Sequence, residues 1–212
     1  MSKEAEVRAV VIDYCRKLYD GGFLPGIDGN ISMRVDENTV VVTPSGVCKG
    51  TVAEDELVTM TLDGKVVAGH MTPSCETPMH LAAYIHGTDV NAVIHAHSPN
   101  IIAFSMAGRH LDLRYAPFTY EHIGEIYDIG FGAPGSKGLH DDVTAAVKQG
   151  YKAISLKNHG SIVLGADMLD AFVNTDLLEA YAGMLIKAEI LGGAKRLADE
   201  ELAAISCGYE PV

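Results

Sequence analysis

Positive charge is scarce in this chain. Its 212 residues carry 16 Lys and Arg against 28 Asp and Glu, a formal net charge of −12 at pH 7. A surface of that sign argues against non-specific partners that need a basic face, nucleic acid and anionic membranes. It leaves room for a small phosphorylated molecule, which needs only local donors. Cysteine is sparse as well: Cys15, Cys48, Cys75 and Cys207 stand far apart with no C-x-x-C pair, so they read as reduced thiols of a cytoplasmic protein. No apolar run reaches the length of a bilayer span. The polar start Met1-Ser2-Lys3-Glu4-Ala5-Glu6 is not a signal peptide. Low-complexity segments, internal repeats and linkers are absent too. With 48% hydrophobic and 21% charged residues, the composition is that of a folded cytosolic protein, and 1–212 is expected to form one domain without staples.

Apolar periodicity supplies the elements. Val7, Val10, Val11, Tyr14 and Leu18 recur at helical spacing, predicting a helix from about Lys3 to Tyr19 that Gly21-Gly22 ends. Strands are expected at Ile31–Val35 and Thr39–Thr43. Asp63-Gly64 between Val58–Leu62 and Lys65–Ala68 signals a tight hairpin. Further on, helices are expected at Thr77–Ile85, Pro99–Met106, Leu139–Lys148, Met168–Leu191 and near Lys195–Ile205. The remaining strands fall at Val93–His97, within Ile123–Phe131, at Ala153–Lys157 and at Ser161–Leu164. Strands and helices interleave irregularly, which gives an α/β fold without a clean doubly wound parallel sheet.

Val93-Ile94-His95-Ala96-His97 is the most informative stretch. Strand side chains alternate faces, so His95 and His97 point the same way, and neutral imidazole is a preferred zinc ligand. His159, in Lys157-Asn158-His159-Gly160, ends another apolar strand and can close a triad. Three protein ligands with one open position suit catalytic zinc, and cobalt or manganese can occupy the same donors. His70, His80, His86, His110, His122 and His140 read as ordinary surface or core residues. Three fold types use similar spacing. A metallo-β-lactamase-type hydrolase wants an acid where Pro99 stands, and a cupin wants a glutamate where none occurs before Glu121. A carbonic-anhydrase-like triad is allowed by spacing. The discriminating segment is Pro73-Ser74-Cys75-Glu76-Thr77-Pro78, in which Ser74 is a candidate N-cap and Glu76 lies in the first turn. Such a helix start offers free amides to a phosphate beside a carboxylate within reach of the metal.

Four segments occur in order: Gly29-Asn30-Ile31-Ser32, Thr43-Pro44-Ser45-Gly46, Pro73-Ser74-Cys75-Glu76, and His95-Ala96-His97 with Asn158-His159-Gly160. In this order and spacing the chain resembles the class II aldolase family over nearly its whole length. The resemblance implies a three-layer α/β/α fold around a mostly antiparallel sheet, assembled as a C4 homotetramer with active sites between neighbours. It places His95, His97 and His159 as ligands of one zinc ion per subunit. Glu76 becomes the acid that lies near the metal at rest and acts as base in turnover. Gly29, Asn30, Ser45, Gly46, Ser74 and Cys75 fall where the family binds the substrate's phosphate.

The activity implied is cleavage of a ketose 1-phosphate through a metal-stabilised enediolate to dihydroxyacetone phosphate and an aldehyde. The family's dehydratases, 4-epimerases and sugar-acid phosphate decarboxylases are alternatives, and a non-catalytic scaffold is a rival of another class. Two departures bear on the choice. Cys75 replaces a second serine, and Phe131 stands where a tyrosine often serves as proton donor for the aldehyde oxygen. Tyr120, Tyr127 or Tyr209 would have to take that part.

Overall fold

The computed structural model describes residues 2–205. Helix α1 (Lys3–Asp20) starts where the Ser2 hydroxyl accepts the Ala5 amide, 3.3 Å away. It buries Val7, Val11, Cys15 and Leu18, one stripe of a 3.6-residue period. Eight strands follow in one sheet: β1 (Asn30–Arg34), β2 (Thr39–Val42), β3 (Val58–Thr61), β4 (Val66–Ala68), β5 (Ala92–Ala96), β6 (Ile126–Ile129), β7 (Ala153–Leu156) and β8 (Gly160–Gly165). Their order is β4-β3-β2-β1-β5-β8-β7-β6. Every neighbouring pair is antiparallel except β6 and β7.

Both faces of this sheet are covered, so its central strands are apolar on both sides. In β2, Val40 and Val42 belong to one core and Val41 to the other. The first core packs under α2 (Thr77–His86) and α5 (Lys137–Lys148) through Met79, Ala83, Leu139 and Val143. The opposite face lies under α1, α3 (Pro99–Met106) and α6 (Met168–Ile190). The result is three layers. Two helices complete the chain described, α4 (Pro117–Ile123) and α7 (Asp199–Ile205). Helix α4 was not foreseen, because Pro117 opens a segment too short to show a periodicity. Among the described residues no helix is long and apolar enough to cross a membrane.

The register of the sheet sets the functional end of the molecule. On β5, Ala92, Ile94 and Ala96 join the α1 side, which turns Val93 and His95 toward α2. Asn30 on β1 lies directly opposite His95, and Ser32 opposite Val93. On the other flank His95 faces Ile162 of β8, and Ala96 faces Ser161.

Gly160 is where this register is tightest. A Cβ there would sit 2.3 Å from the Ala96 carbonyl oxygen and 3.3 Å from His95 Cε1. Gly160→Ala is expected to destabilise the metal-free protein by about 2–3 kcal/mol in denaturant unfolding. Gly138→Ala, on an exposed helical position with no atom within 4 Å of the added carbon, should leave stability unchanged or raise it slightly.

Candidate metal centre

Four side chains converge from separate elements. His95 is fully buried near the end of β5. His97, expected as the last residue of the strand, lies one residue beyond β5, and its amide donates to the Phe23 carbonyl at 2.9 Å. The chain still delivers both rings to one side. His159 sits in the β7–β8 turn, where Asn158 takes a left-handed φ of 57° and its amide donates to Ser105 Oγ at 2.9 Å. Glu76 directly precedes α2 and is 6% exposed. The three imidazole centroids are 4.9 Å apart in every pairing, a near-equilateral triangle. One ligand atom from each of the four residues lies within 4.8 Å of the others.

Proton bookkeeping shows that these residues fit a cation. The Ser161 carbonyl, 3.0 Å away, accepts from His95 Nδ1, which leaves His95 Nε2 with a lone pair. Asp28 Oδ2 lies 3.5 Å from His97 Nδ1 and favours the proton on that nitrogen. The two Nε2 atoms then face each other at 3.1 Å. Glu76 Oε2 is 3.2 Å from His95 Nε2, and Oε1 is 3.2 Å from His159 Nε2. Lone pairs and a carboxylate pointed at one point repel unless a positive charge sits among them. Burial also pulls His97 down, to about 4, with the neighbouring histidines adding to it, so the imidazole is neutral and ready to ligate at pH 7. Burial works to raise the Glu76 carboxyl, but the His159 and His95 rings beside it and the hydrogen bond from Asn30 hold it well below the carboxylate range.

Beside this cluster is a cavity of about 280 Å³. Gly29, Asn30, Ser45, Gly46, Ser74 and Cys75, the six expected anion-binding residues, all line it, together with Glu76, His97 and His159. Gly46 adopts a φ of +71°, which points its backbone in a way that side-chain-bearing residues resist. The helix start differs from expectation. Glu76, not Ser74, is the residue at the α2 cap, and its side chain makes no capping bond because the histidines and Asn30 draw it inward. Ser74 Oγ instead accepts from Asn30 Nδ2 at 3.2 Å and from the Glu76 amide at 3.3 Å.

Within one chain, neither Tyr120 nor Tyr127 is brought to the site. Tyr120 packs against the core under α3 and α6, and Tyr127 stacks on Tyr151 with centroids 4.8 Å apart. Neither lines the cavity, and Tyr209 lies outside the described residues. Phe131 is 76% exposed.

Three contributors were not singled out from sequence. Lys49 and Asp28 line the cavity, and Lys49 is almost fully buried. His80 begins a buried relay behind Glu76: Asn30 Nδ2 donates to Glu76 Oε2 at 2.8 Å, and Asn30 Oδ1 meets His80 Nε2 at 2.6 Å. His80 Nδ1 meets Ser32 Oγ, which meets the Tyr84 hydroxyl, each at 2.7 Å. An amide oxygen cannot donate, so Nε2 carries the His80 proton and Nδ1 accepts from Ser32. The signal was available: His80 and Tyr84 fall at i+4 and i+8 from Glu76, on one face of α2.

Two outcomes follow. Burial holds His80 down to about 3 against 6.5 for a free imidazole. A lowered histidine contributes stability fully above the unfolded value and loses it as pH falls from 6.5 toward 3. Urea unfolding of the metal-free protein should therefore weaken across that window, and His80→Gln should flatten the curve there. In equilibrium dialysis, His97→Ala or His159→Ala should abolish stoichiometric binding of a divalent cation, while Asn30→Ala should weaken it by about 10–100-fold. Unchanged binding in all three would contradict the assignment.

Comparison with known proteins gives the family. Residues 9–186 match the Class II Aldolase and Adducin N-terminal domain. An L-fuculose phosphate aldolase of Methanococcus maripaludis is 34% identical over 171 residues, covering 81% of this chain and 91% of that protein. A 3-oxo-tetronate 4-phosphate decarboxylase of Pectobacterium atrosepticum is 29% identical over 213 residues, covering 97% and 95%. The crystal structure of YgbL from Escherichia coli superimposes with a TM-score of 0.88 at 26% identity, over 95% of this chain and 98% of that one. The chain belongs to the class II aldolase family.

Proposed function

We propose that the protein is a metal-dependent carbon–carbon lyase acting on a phosphorylated sugar, and in its finer form a zinc-dependent aldolase. It would cleave a ketose 1-phosphate (fuculose, ribulose, or a 5-deoxy or 5-thio pentulose) to dihydroxyacetone phosphate and an aldehyde. The observation that carries this is the convergence of three imidazoles and a buried carboxylate, of which His97, His159 and Glu76 line a cavity rich in amide and hydroxyl donors. His95, His97 and His159 would hold the zinc, with Glu76 alongside, and cobalt or manganese suit the same donors. The cation supplies Lewis-acid stabilisation of negative charge developing on substrate oxygen.

The chain's own residues do the rest. Gly29, Asn30, Ser45, Gly46, Ser74 and Cys75 anchor the phosphate in the cavity they line. Asn30 also donates to Glu76 Oε2 and so fixes the carboxylate at the cavity wall. From there Glu76 carries a proton to or from the carbon beside the carbonyl. The working form in this reading is a cytoplasmic homotetramer, in which a neighbour supplies what the Phe131 loop of one chain does not.

A second reading is decarboxylation of a phosphorylated 3-oxo sugar acid. Loss of carbon dioxide needs no proton donor for an aldehyde oxygen, and among the described residues no tyrosine lines the cavity. Similarity to the Pectobacterium decarboxylase also spans 97% of the chain.

The test is product identification with zinc-loaded protein on a panel of ketose 1-phosphates and 3-oxo-tetronate 4-phosphate. Dihydroxyacetone phosphate together with an aldehyde is expected from a ketose 1-phosphate, with Glu76→Gln lowering turnover by about 10²–10⁴-fold while the metal stays bound. Carbon dioxide released from 3-oxo-tetronate 4-phosphate, which also leaves dihydroxyacetone phosphate, with no cleavage of any ketose 1-phosphate would move the assignment to the second reading. No cleavage of either class would overturn it.

A further inference from the structure

Lys49 is a buried cation that the metal cluster does not use. It is 2% exposed, and its Nζ donates to the Ile27 carbonyl at 2.7 Å. No other acceptor among the described residues takes its remaining two N–H groups. The acids nearest the cavity are engaged elsewhere: Asp28 with His97, and Glu76 with His95 and His159. An ammonium taken out of water without a carboxylate partner is costly, and proteins keep one where an anion is to be met.

The surroundings say which anion. Lys49 lines the same cavity as Gly29, Asn30, Ser45, Gly46 and Ser74, a ring of neutral amide and hydroxyl donors. It is the one lysine or arginine among the residues lining that cavity, in a chain of net charge −12. Cys75, on the same wall, offers only a weak S–H donor. Neutral donors position a phosphate ester but do not balance its two negative charges, and the imidazole triad serves the other end of the substrate. Residue 27, to whose carbonyl Lys49 is tied, also opens the turn carrying Asp28, Gly29 and Asn30, so cation and cradle are held as one unit.

We propose that Lys49 is the charge-bearing residue of the anion subsite and makes the cavity selective for a phosphate monoester dianion over the neutral sugar. This rests on the reading of the substrate as a phosphate ester, so the test uses inorganic phosphate and does not depend on turnover. Phosphate is titrated by calorimetry into zinc-loaded wild type, Lys49→Gln and Lys49→Met, and the melting temperature of each is followed with and without phosphate. Gln keeps a donor for the Ile27 carbonyl, and Met fills the volume without charge, so one serves if the other does not fold.

Wild type should bind phosphate and gain thermal stability from it. A folded neutral variant with wild-type zinc content should bind it at least tenfold more weakly. Neutral variants that bind within twofold of wild type would overturn the role of Lys49 and leave the lyase assignment standing. Wild type that does not bind phosphate would overturn the proposal and count against a phosphate-ester substrate as well.

Discussion

Two imidazole nitrogens that must both carry lone pairs, held 3.1 Å apart, are the constraint around which the rest of the structure is organised. The Ser161 carbonyl fixes the proton of one ring and Asp28 that of the other, and neither proton lies between them. A third imidazole and a carboxylate aim at the same point. In a low-dielectric interior such an arrangement is unfavourable by itself and becomes favourable with a divalent cation at its centre. The metal-free protein therefore carries a local electrostatic deficit, which the fold must offset elsewhere.

The offset comes from a sheet covered on both faces. Three apolar cores on its two sides immobilise the strand ends, so side chains from β1, β5, the β7–β8 turn and the start of α2 meet with little freedom. The register does the positioning: Asn30 opposite His95, and Ala96 opposite Ser161, put the carboxylate's partner and the imidazole's partner one strand away on either side. Behind Glu76 the relay through Asn30, His80, Ser32 and Tyr84 satisfies a run of buried polar groups, each by the next. Such a network specifies one arrangement of the carboxylate, because any shift leaves a buried donor or acceptor unpaired.

Much of this was legible in the sequence. Alternation along Val93–His97 gave the shared side of His95 and His97, and Asp63-Gly64 gave the β3–β4 hairpin. The long helices were visible from their periodicity to within a residue or two. The residues expected around the phosphate and the metal meet at one cavity, which a resemblance in motif order anticipated and spacing alone did not. What sequence hid were relations across the fold. Lys49 sits between two turn-rich segments with no pattern to mark it, and only packing shows that it is buried against Ile27. His80 reads as a core histidine until β1 places Asn30 and Ser32 on either side of its ring. The tyrosines show the reverse: Tyr120 and Tyr127 are plausible donors by composition, and packing turns both into neighbouring cores.

The claim that three imidazoles and an oxygen donor hold one cation is tested most directly by X-ray absorption at the zinc edge of the zinc-loaded protein. The account predicts three imidazole nitrogens with oxygen completing the shell, and no sulfur. Fewer than three imidazoles, or a sulfur ligand such as the nearby Cys75 thiolate, would contradict it.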